Sequence, residues 1–194
     1  MKNSYLFKGG IYLLAENYDY MSYDNFISFN EAYHGKMEYY NGDIICMSPV
    51  HPKHNKVQNK LYFQLVMSLN DCSKCDVYTS DVAVKFEQAD EKYQFEPDVM
   101  ICCDDKFDKS VYVGVPKLVI EVLSKTTQSR DLGIKLNIYE KYGVEQYWIV
   151  DINNQEIRVY SDNVNGRFKS MIAYLVDDQL IWNNSKLNLH EIFK

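Results

Sequence analysis

The chain has 194 residues, 46% hydrophobic and 25% charged, with a formal net charge of −6. That is enough length for a real core in one globular domain, and it excludes a membrane span, because no apolar run approaches the roughly 18 residues such a span needs. The acidic balance argues against a general coat for DNA, but it leaves room for a nuclease, whose metal-binding carboxylates are offset by cations.

The first eight residues, Met1 to Lys8, carry charge but no sustained apolar stretch, so no signal peptide is expected. Residues 1–20 show little periodicity and are read as an N-terminal arm. Ser22 can cap a helix through about Tyr33, with Phe26, Phe29 and Tyr33 at helical spacing and His34-Gly35 as its stop. Lys36 to Tyr40, Asn41-Gly42 and Asp43 to Met47 then form a β-hairpin, because Asn-Gly is the strongest short turn signal. Glu38 lies on its first strand. A proline-bearing loop leads to a helix over about Lys53–Asn70, where Val57, Leu61, Leu65 and Leu69 make one buried face. His51, Lys53, His54, Lys56 and Lys60 crowd its first turns. They read either as a solvated helix end or as a patch for phosphate or a nearby carboxylate.

Five cysteines with no regular framework favour a reducing, cytoplasmic setting. Cys72-x-x-Cys75 lacks the second ligand pair of a structural zinc site, so plain cysteines are expected, ahead of zinc or a redox pair. Strands follow at Val77–Phe86 and Tyr93–Cys103, the second carrying Asp98. A polar loop spans Asp104 to Tyr112. Beyond it come a strand within 116–124, a helix over about Asp131–Tyr142 ended by Gly143, and strands at Glu145–Asp151 and Glu156–Ser161. A C-terminal meander with strands near Gly166–Val176 and Leu180–Trp182 closes the chain.

Two residues break these patterns. Glu121 sits within Leu118-Val119-Ile120-Glu121-Val122, an otherwise apolar strand, and a buried carboxylate costs several kcal/mol unless paired. It is either an edge or salt-bridged residue, or a metal ligand or general base. Asp98, also on an apolar strand, favours the second reading, since two such acids repel unless a cation lies between them. Lys135 lies on the helix face defined by Leu132, Leu136 and Tyr139, where lysines are uncommon. It either snorkels or pairs with Asp131, or it is aimed at the acids on the sheet.

The chain resembles the Uma2 (DUF820) family of restriction-endonuclease-like proteins, in the PD-(D/E)xK nuclease superfamily. The matching text is Glu38-Tyr39-Tyr40-Asn41-Gly42-Asp43, Met47-Ser48-Pro49 with His54, Glu96-Pro97-Asp98-Val99 and Val119 to Ser124. It continues through Ser129 to Lys135, Tyr139 and Gly143 to Asp151, so that the likeness covers roughly residues 20–160. The resemblance implies an α/β (α+β) fold: a restriction-endonuclease-like core at about 21–160, with a central mixed sheet flanked by helices, and extra antiparallel strands at 161–194, all in one domain. It implies that Asp98 and Glu121 bind Mg²⁺ or Mn²⁺ and that Glu38 is the supporting upstream acid. The superfamily lysine belongs two positions after the second acid, where this chain has Leu123. The family pattern suggests that Lys135 supplies that charge from the helix, with Lys125 ranked second. His54, Ser124 and Arg130 are candidates for holding phosphate oxygens. The implied activity is metal-dependent cleavage of DNA by a cytoplasmic homodimer. An inactive nucleic-acid-binding module and a homo-oligomeric interaction protein with a tyrosine-rich surface are the other readings.

Overall fold

The computed structural model describes residues 20–33, 35–69, 74–124 and 128–194. The expected arm (all but Tyr20), His34, Cys72 and Lys125 therefore lie outside the described residues. Helix α1 spans Tyr23–Ala32, and its Ser22 cap accepts a hydrogen bond from the Asn25 amide at 3.3 Å. The hairpin is β1 Met37–Tyr40 and β2 Asp43–Cys46. Its turn has positive φ at both Asn41 (47°) and Gly42 (114°), the conformation that twists in step with the strands. Helix α2 runs Pro52–Ser68, capped by the His51 side chain.

The next stretch corrects the sequence reading. The strand expected at Val77–Phe86 is two strands, β3 Asp76–Thr79 and β4 Ala83–Gln88, separated by a turn closed from Val82 N to Thr79 O. The strand expected at Tyr93–Cys103 is likewise β5 Glu91–Phe95 and β6 Val99–Cys102. Pro97 lies between them, and a residue without an N–H cannot continue a central ladder. β4 pairs with β5 and β3 with β6, so one long hairpin serves two different sheets. The loop after β6 holds two short strands, β7 Phe107–Asp108 and β8 Val111–Tyr112.

β9 is Leu118–Val122, the buried strand. The helix after it is not uniform: α3 Gln128–Arg130 leads into a π-helical turn, Asp131–Lys135, and then into α4 Leu136–Lys141. β10 Gln146–Asp151, β11 Glu156–Asn163 and β12 Phe168–Leu175 follow. Both strands of the expected C-terminal meander form: the one near Gly166–Val176 is β12, antiparallel to β11, and Leu180–Trp182 is β13, which makes a small ribbon with β14 Ser185–Leu187; a helix that the sequence reading missed, α5 Leu189–Phe193, follows.

There are thus two six-stranded mixed sheets where one central sheet was expected. One has the order β2-β1-β5-β4-β8-β7 and the other β12-β11-β10-β9-β6-β3. In the second sheet β9 and β10 run parallel, and the chain between them crosses over through α3 and α4. Strand alternation sorts its two faces. Leu118, Ile120, Val122, Val99, Ile101, Trp148 and Val150 face one core, which α2, the β13–β14 ribbon and α5 cover. Val119, Met100, Tyr147 and Ile149 face a second core, shared with Phe86 and Phe95 of the other sheet and with Tyr139 of α4. Among the described residues no helix is long and apolar enough to cross a membrane.

The cysteines also depart from expectation. Cys75 is disulfide-bonded to Cys103, each just beyond the paired ends of β3 and β6, while Cys46 and Cys102 are free. The plain-cysteine reading therefore fails for this pair, because pairing β3 with β6 brings together residues that are 28 apart in the chain.

Gly143 ends α4 with φ of 87°, and a Cβ there would meet nothing within 4 Å. Gly143→Ala should therefore cost only the backbone penalty of the left-handed region, about 1 kcal/mol. Urea denaturation should show an earlier midpoint with an unchanged slope.

Candidate active site

Parity brings the acids together. Glu121 shares the strand face of Val119 and points into the second core. Asp98 lies next to the β6–β9 ladder, whose register pairs Val99 with Ile120, so Asp98 is opposite Glu121 on the same face. Glu38 comes from the other sheet. It is two residues from Tyr40, whose ring packs in the second core, while Met37 and Tyr39 turn away toward α1. The three acids therefore converge from β1, β6 and β9 on the space between the sheets.

Lys135 enters that space from the helix. Its Nζ lies 2.7 Å from Glu38 Oε1, 2.8 Å from Glu121 Oε1 and 3.8 Å from Asp131 Oδ1. Lys135 is 1% exposed, Glu38 0% and Glu121 4%, so this is an interior ion cluster. Asp131 and Lys135 are the two ends of a π turn, and both are buried on the same side of it. Leu132 and Leu136, expected to define the inner face, are only partly buried at its margin. The position of Leu123, where the superfamily lysine would stand, packs against the same core as an apolar residue.

Two tyrosines complete the cluster. Tyr40 donates to Glu38 Oε2 at 2.6 Å, and Tyr139 donates to Glu121 Oε1 at 3.0 Å. The Glu96 amide donates to Glu38 Oε1 at 3.2 Å. Sequence reasoning did not assign Tyr40 or Tyr139 to the site. Both were within reach of it, because Tyr40 shares strand parity with Glu38 and Tyr139 lies four residues after Lys135.

Asp98 is held separately. Its Oδ2 accepts from the Val122 amide at 2.7 Å and lies 3.1 Å from His54 Nε2. Gln58, one turn along α2, donates to the Asp98 carbonyl at 2.8 Å and to Ser80 Oγ at 3.0 Å. Of the basic cluster at the start of α2, only His54 faces the acids. Lys56 and Lys60 instead donate to the carbonyls of Lys194 and Glu191 at the C-terminal helix. Ser124 follows β9 at the edge of the site, and Arg130 immediately precedes the π turn with its Nε buried and without a partner.

The electrostatics follow from crowding. Burial alone would lower the Lys135 pKa, but Glu121 and Glu38 reverse this and hold it well above the ordinary lysine value. Burial pushes Glu121 up against the pull of Lys135, and the nearby acids Asp131, Asp98 and Glu38 push the same way. Burial lowers and Asp98 raises the His54 pKa, with a net upward shift. One buried lysine thus faces three carboxylates, Glu38, Glu121 and Asp131, with Asp98 beyond them.

That excess of negative charge suits a divalent cation. Among the described residues no group of three or more His, Cys, Asp and Glu is arranged as a metal site. Among the described residues, donors reach only Oε1 of Glu121 and Oδ2 of Asp98, which leaves the other oxygen of each carboxylate open. Two hard oxygen donors on adjacent strands fit Mg²⁺, which commonly takes one or two carboxylates and completes its shell with water and substrate oxygens.

Comparison with known proteins agrees with this architecture. A crystal structure described as a "putative nuclease belonging to DUF820", from Anabaena variabilis, superposes with a TM-score of 0.72. It covers 88% of this chain and 96% of its own at 16% identity, a likeness that speaks for the fold. An uncharacterised Synechocystis protein is 28% identical over 162 residues, 82% of this chain and 83% of its own length. The profile of the Uma2 family, described as "Putative restriction endonuclease", matches residues 23–183. The fold is thus that of a nuclease-like protein, and the chain belongs to the Uma2 family.

Two predictions concern the cluster. Lys135→Met leaves Glu38 and Glu121 buried without their cation and should cost about 3–5 kcal/mol. Adding Glu121→Gln should recover part of that loss in equilibrium unfolding, and strict additivity would show that the two side chains do not interact. Burial, opposed by Lys36, pushes Glu96 up from 4.5 to about 7. The folded chain then keeps a proton that the unfolded chain releases, so this group's stabilisation is full below about pH 4.5 and is lost as pH rises through about 7. Glu96→Gln should match wild type at the acid end and exceed it by about 1–2 kcal/mol near pH 8, read from urea midpoints.

Proposed function

We propose that this chain is a metal-dependent endonuclease that hydrolyses phosphodiester bonds in DNA, acting in the cytoplasm as a single-domain protomer of a homodimer. The observation that carries the reading is the cross-strand pair Asp98 and Glu121, each with a carboxylate oxygen lacking a donor, beside the inward Lys135. Asp98 and Glu121 would hold Mg²⁺ or Mn²⁺. Such an ion polarises a phosphoryl oxygen and lowers the pKa of bound water.

The remaining steps belong to the chain's own residues. Lys135, kept charged by its carboxylates, sits where it can orient a water or offset charge that develops on phosphorus. Glu38, fixed by Tyr40 and the Glu96 amide, holds Lys135 in place. His54 fixes the orientation of Asp98 and carries positive charge more readily than a free imidazole, which suits a nearby phosphate. Arg130, just before the π turn, and Ser124, just after β9, could each hold a phosphate oxygen.

A second reading, a nucleic-acid-binding module without turnover, draws on Leu123 in place of the strand lysine and on the nearly complete burial of Lys135 between two carboxylates. The test is cleavage of labelled duplex, single-stranded and branched DNA with Mg²⁺, Mn²⁺ or EDTA. Metal-dependent products are expected, with at least a hundredfold loss of rate in Asp98→Ala/Glu121→Ala, on the order of 3 kcal/mol. DNA binding with no product in any condition would favour the second reading. Unchanged Mn²⁺ affinity in the double variant would refute the site.

A further inference from the structure

The outer edge of β12 differs from the other three sheet edges. β2 and β3 are four residues long and β7 is two, and β3 is additionally fixed beside the Cys75–Cys103 disulfide. β12 has eight residues, and among the described residues no strand pairs with its outer side. Its sequence, Phe168-Lys169-Ser170-Met171-Ile172-Ala173-Tyr174-Leu175, has no proline, no glycine and no acid, with one lysine as its only charge. Of the devices by which proteins blunt exposed edges, this strand carries only Lys169.

The apolar residues on this strand are also out in solvent. Met171 is 54% exposed, Ile172 49% and Leu175 53%. Met171 lies opposite Tyr160 on one face of the sheet, and Ile172 opposite Val159 on the other. A helix laid on the sheet would cover one of these faces. Only another strand, continuing the sheet, would cover both and also satisfy the open backbone N–H and C=O groups.

We propose that β12 pairs antiparallel with β12 of a second copy of this chain, joining two six-stranded sheets across a two-fold axis near Met171 and Ile172. Charge selects this occupant. Lys169 and Arg167, the latter also paired with Glu140, lie at the start of the strand; Asp177, also paired with His190 at the surface, and Asp178, which accepts from the Leu175 amide, lie just past its end. Antiparallel pairing brings the basic end of one copy to the acidic end of the other, whereas parallel pairing would set like against like. It also keeps the two Lys169 side chains apart. In a chain of net charge −6, an edge strand without acids is a surface where two copies can approach closely. This names a surface for the expected dimer and does not depend on nuclease chemistry.

The test is sedimentation velocity of the full chain over about 1–100 μM, the range in which a modest protein interface dissociates. Wild type should show a concentration-dependent species of twice the monomer mass. Met171→Lys and Ile172→Lys, each at a half-exposed position, should keep the monomer's circular dichroism and raise the dissociation constant at least about tenfold. Lys169→Glu should also weaken association, and adding Asp177→Lys should restore it. Hydrogen exchange at β12 amides should slow with rising protein concentration. A wild-type monomer at every concentration would overturn the proposal. So would a dimer unchanged by both lysine variants, or protection in the monomer of the outward β12 amides, those not hydrogen-bonded to β11. Cleavage activity, present or absent, decides none of these outcomes.

Discussion

The structure depends on one ammonium group placed between two carboxylates that come from different sheets. Glu38 is on β1, Glu121 on β9, and Lys135 on the helical crossover that follows β9. Removing the lysine leaves two buried carboxylates without compensation, a cost comparable to a large part of a domain's whole stability. The three groups therefore fix the spacing of the sheets and the rotation of the helix at once. The tyrosine hydroxyls of Tyr40 and Tyr139 take up further carboxylate lone pairs, as a buried polar network requires.

The same cluster brings a helix lysine into the space that a strand residue two after Glu121 would also face. A residue two after Glu121 would face the same space, but this chain places Leu123 there, against the second core. The charge is supplied instead from the crossover. Helical spacing already sets Lys135 on the face of Leu132 and Leu136, and in the π turn Asp131–Lys135 it is the polar pair that is fully buried while the two leucines are only partly so. Irregular helical turns of this kind recur at functional sites because they re-aim a side chain while the helix stays packed. Asp98 stays outside the cluster, held by His54 and the Val122 amide, so the site divides into a locked half and a half with open oxygen donors.

Much of the site could be read from the chain alone because the side-chain period of a strand is two. Glu121 within an apolar run, Asp98 on a second apolar stretch and Lys135 among leucines each violate the local pattern, and all three turn toward the space between the sheets. The basic residues at the start of α2 were ambiguous for the opposite reason. Helical spacing cannot say which of several lysines and histidines meets a partner far along the chain, and here Lys56 and Lys60 meet the C-terminal helix while His54 meets Asp98.

What the sequence determined by itself was local: the Ser22 cap, the Asn41-Gly42 turn, the buried face of α2, the β9 strand and the out-of-place acids and lysine. Each depends on neighbours within a turn or a strand, and propensity and periodicity act at that range. What only the tertiary structure decided was how the chain is shared between layers. The splitting of two long strands into β3, β4, β5 and β6, the joining of Cys75 to Cys103, and the open edge at β12 all follow from which strands pair. Pairing is decided by burial of faces distant in sequence, and no local pattern encodes it.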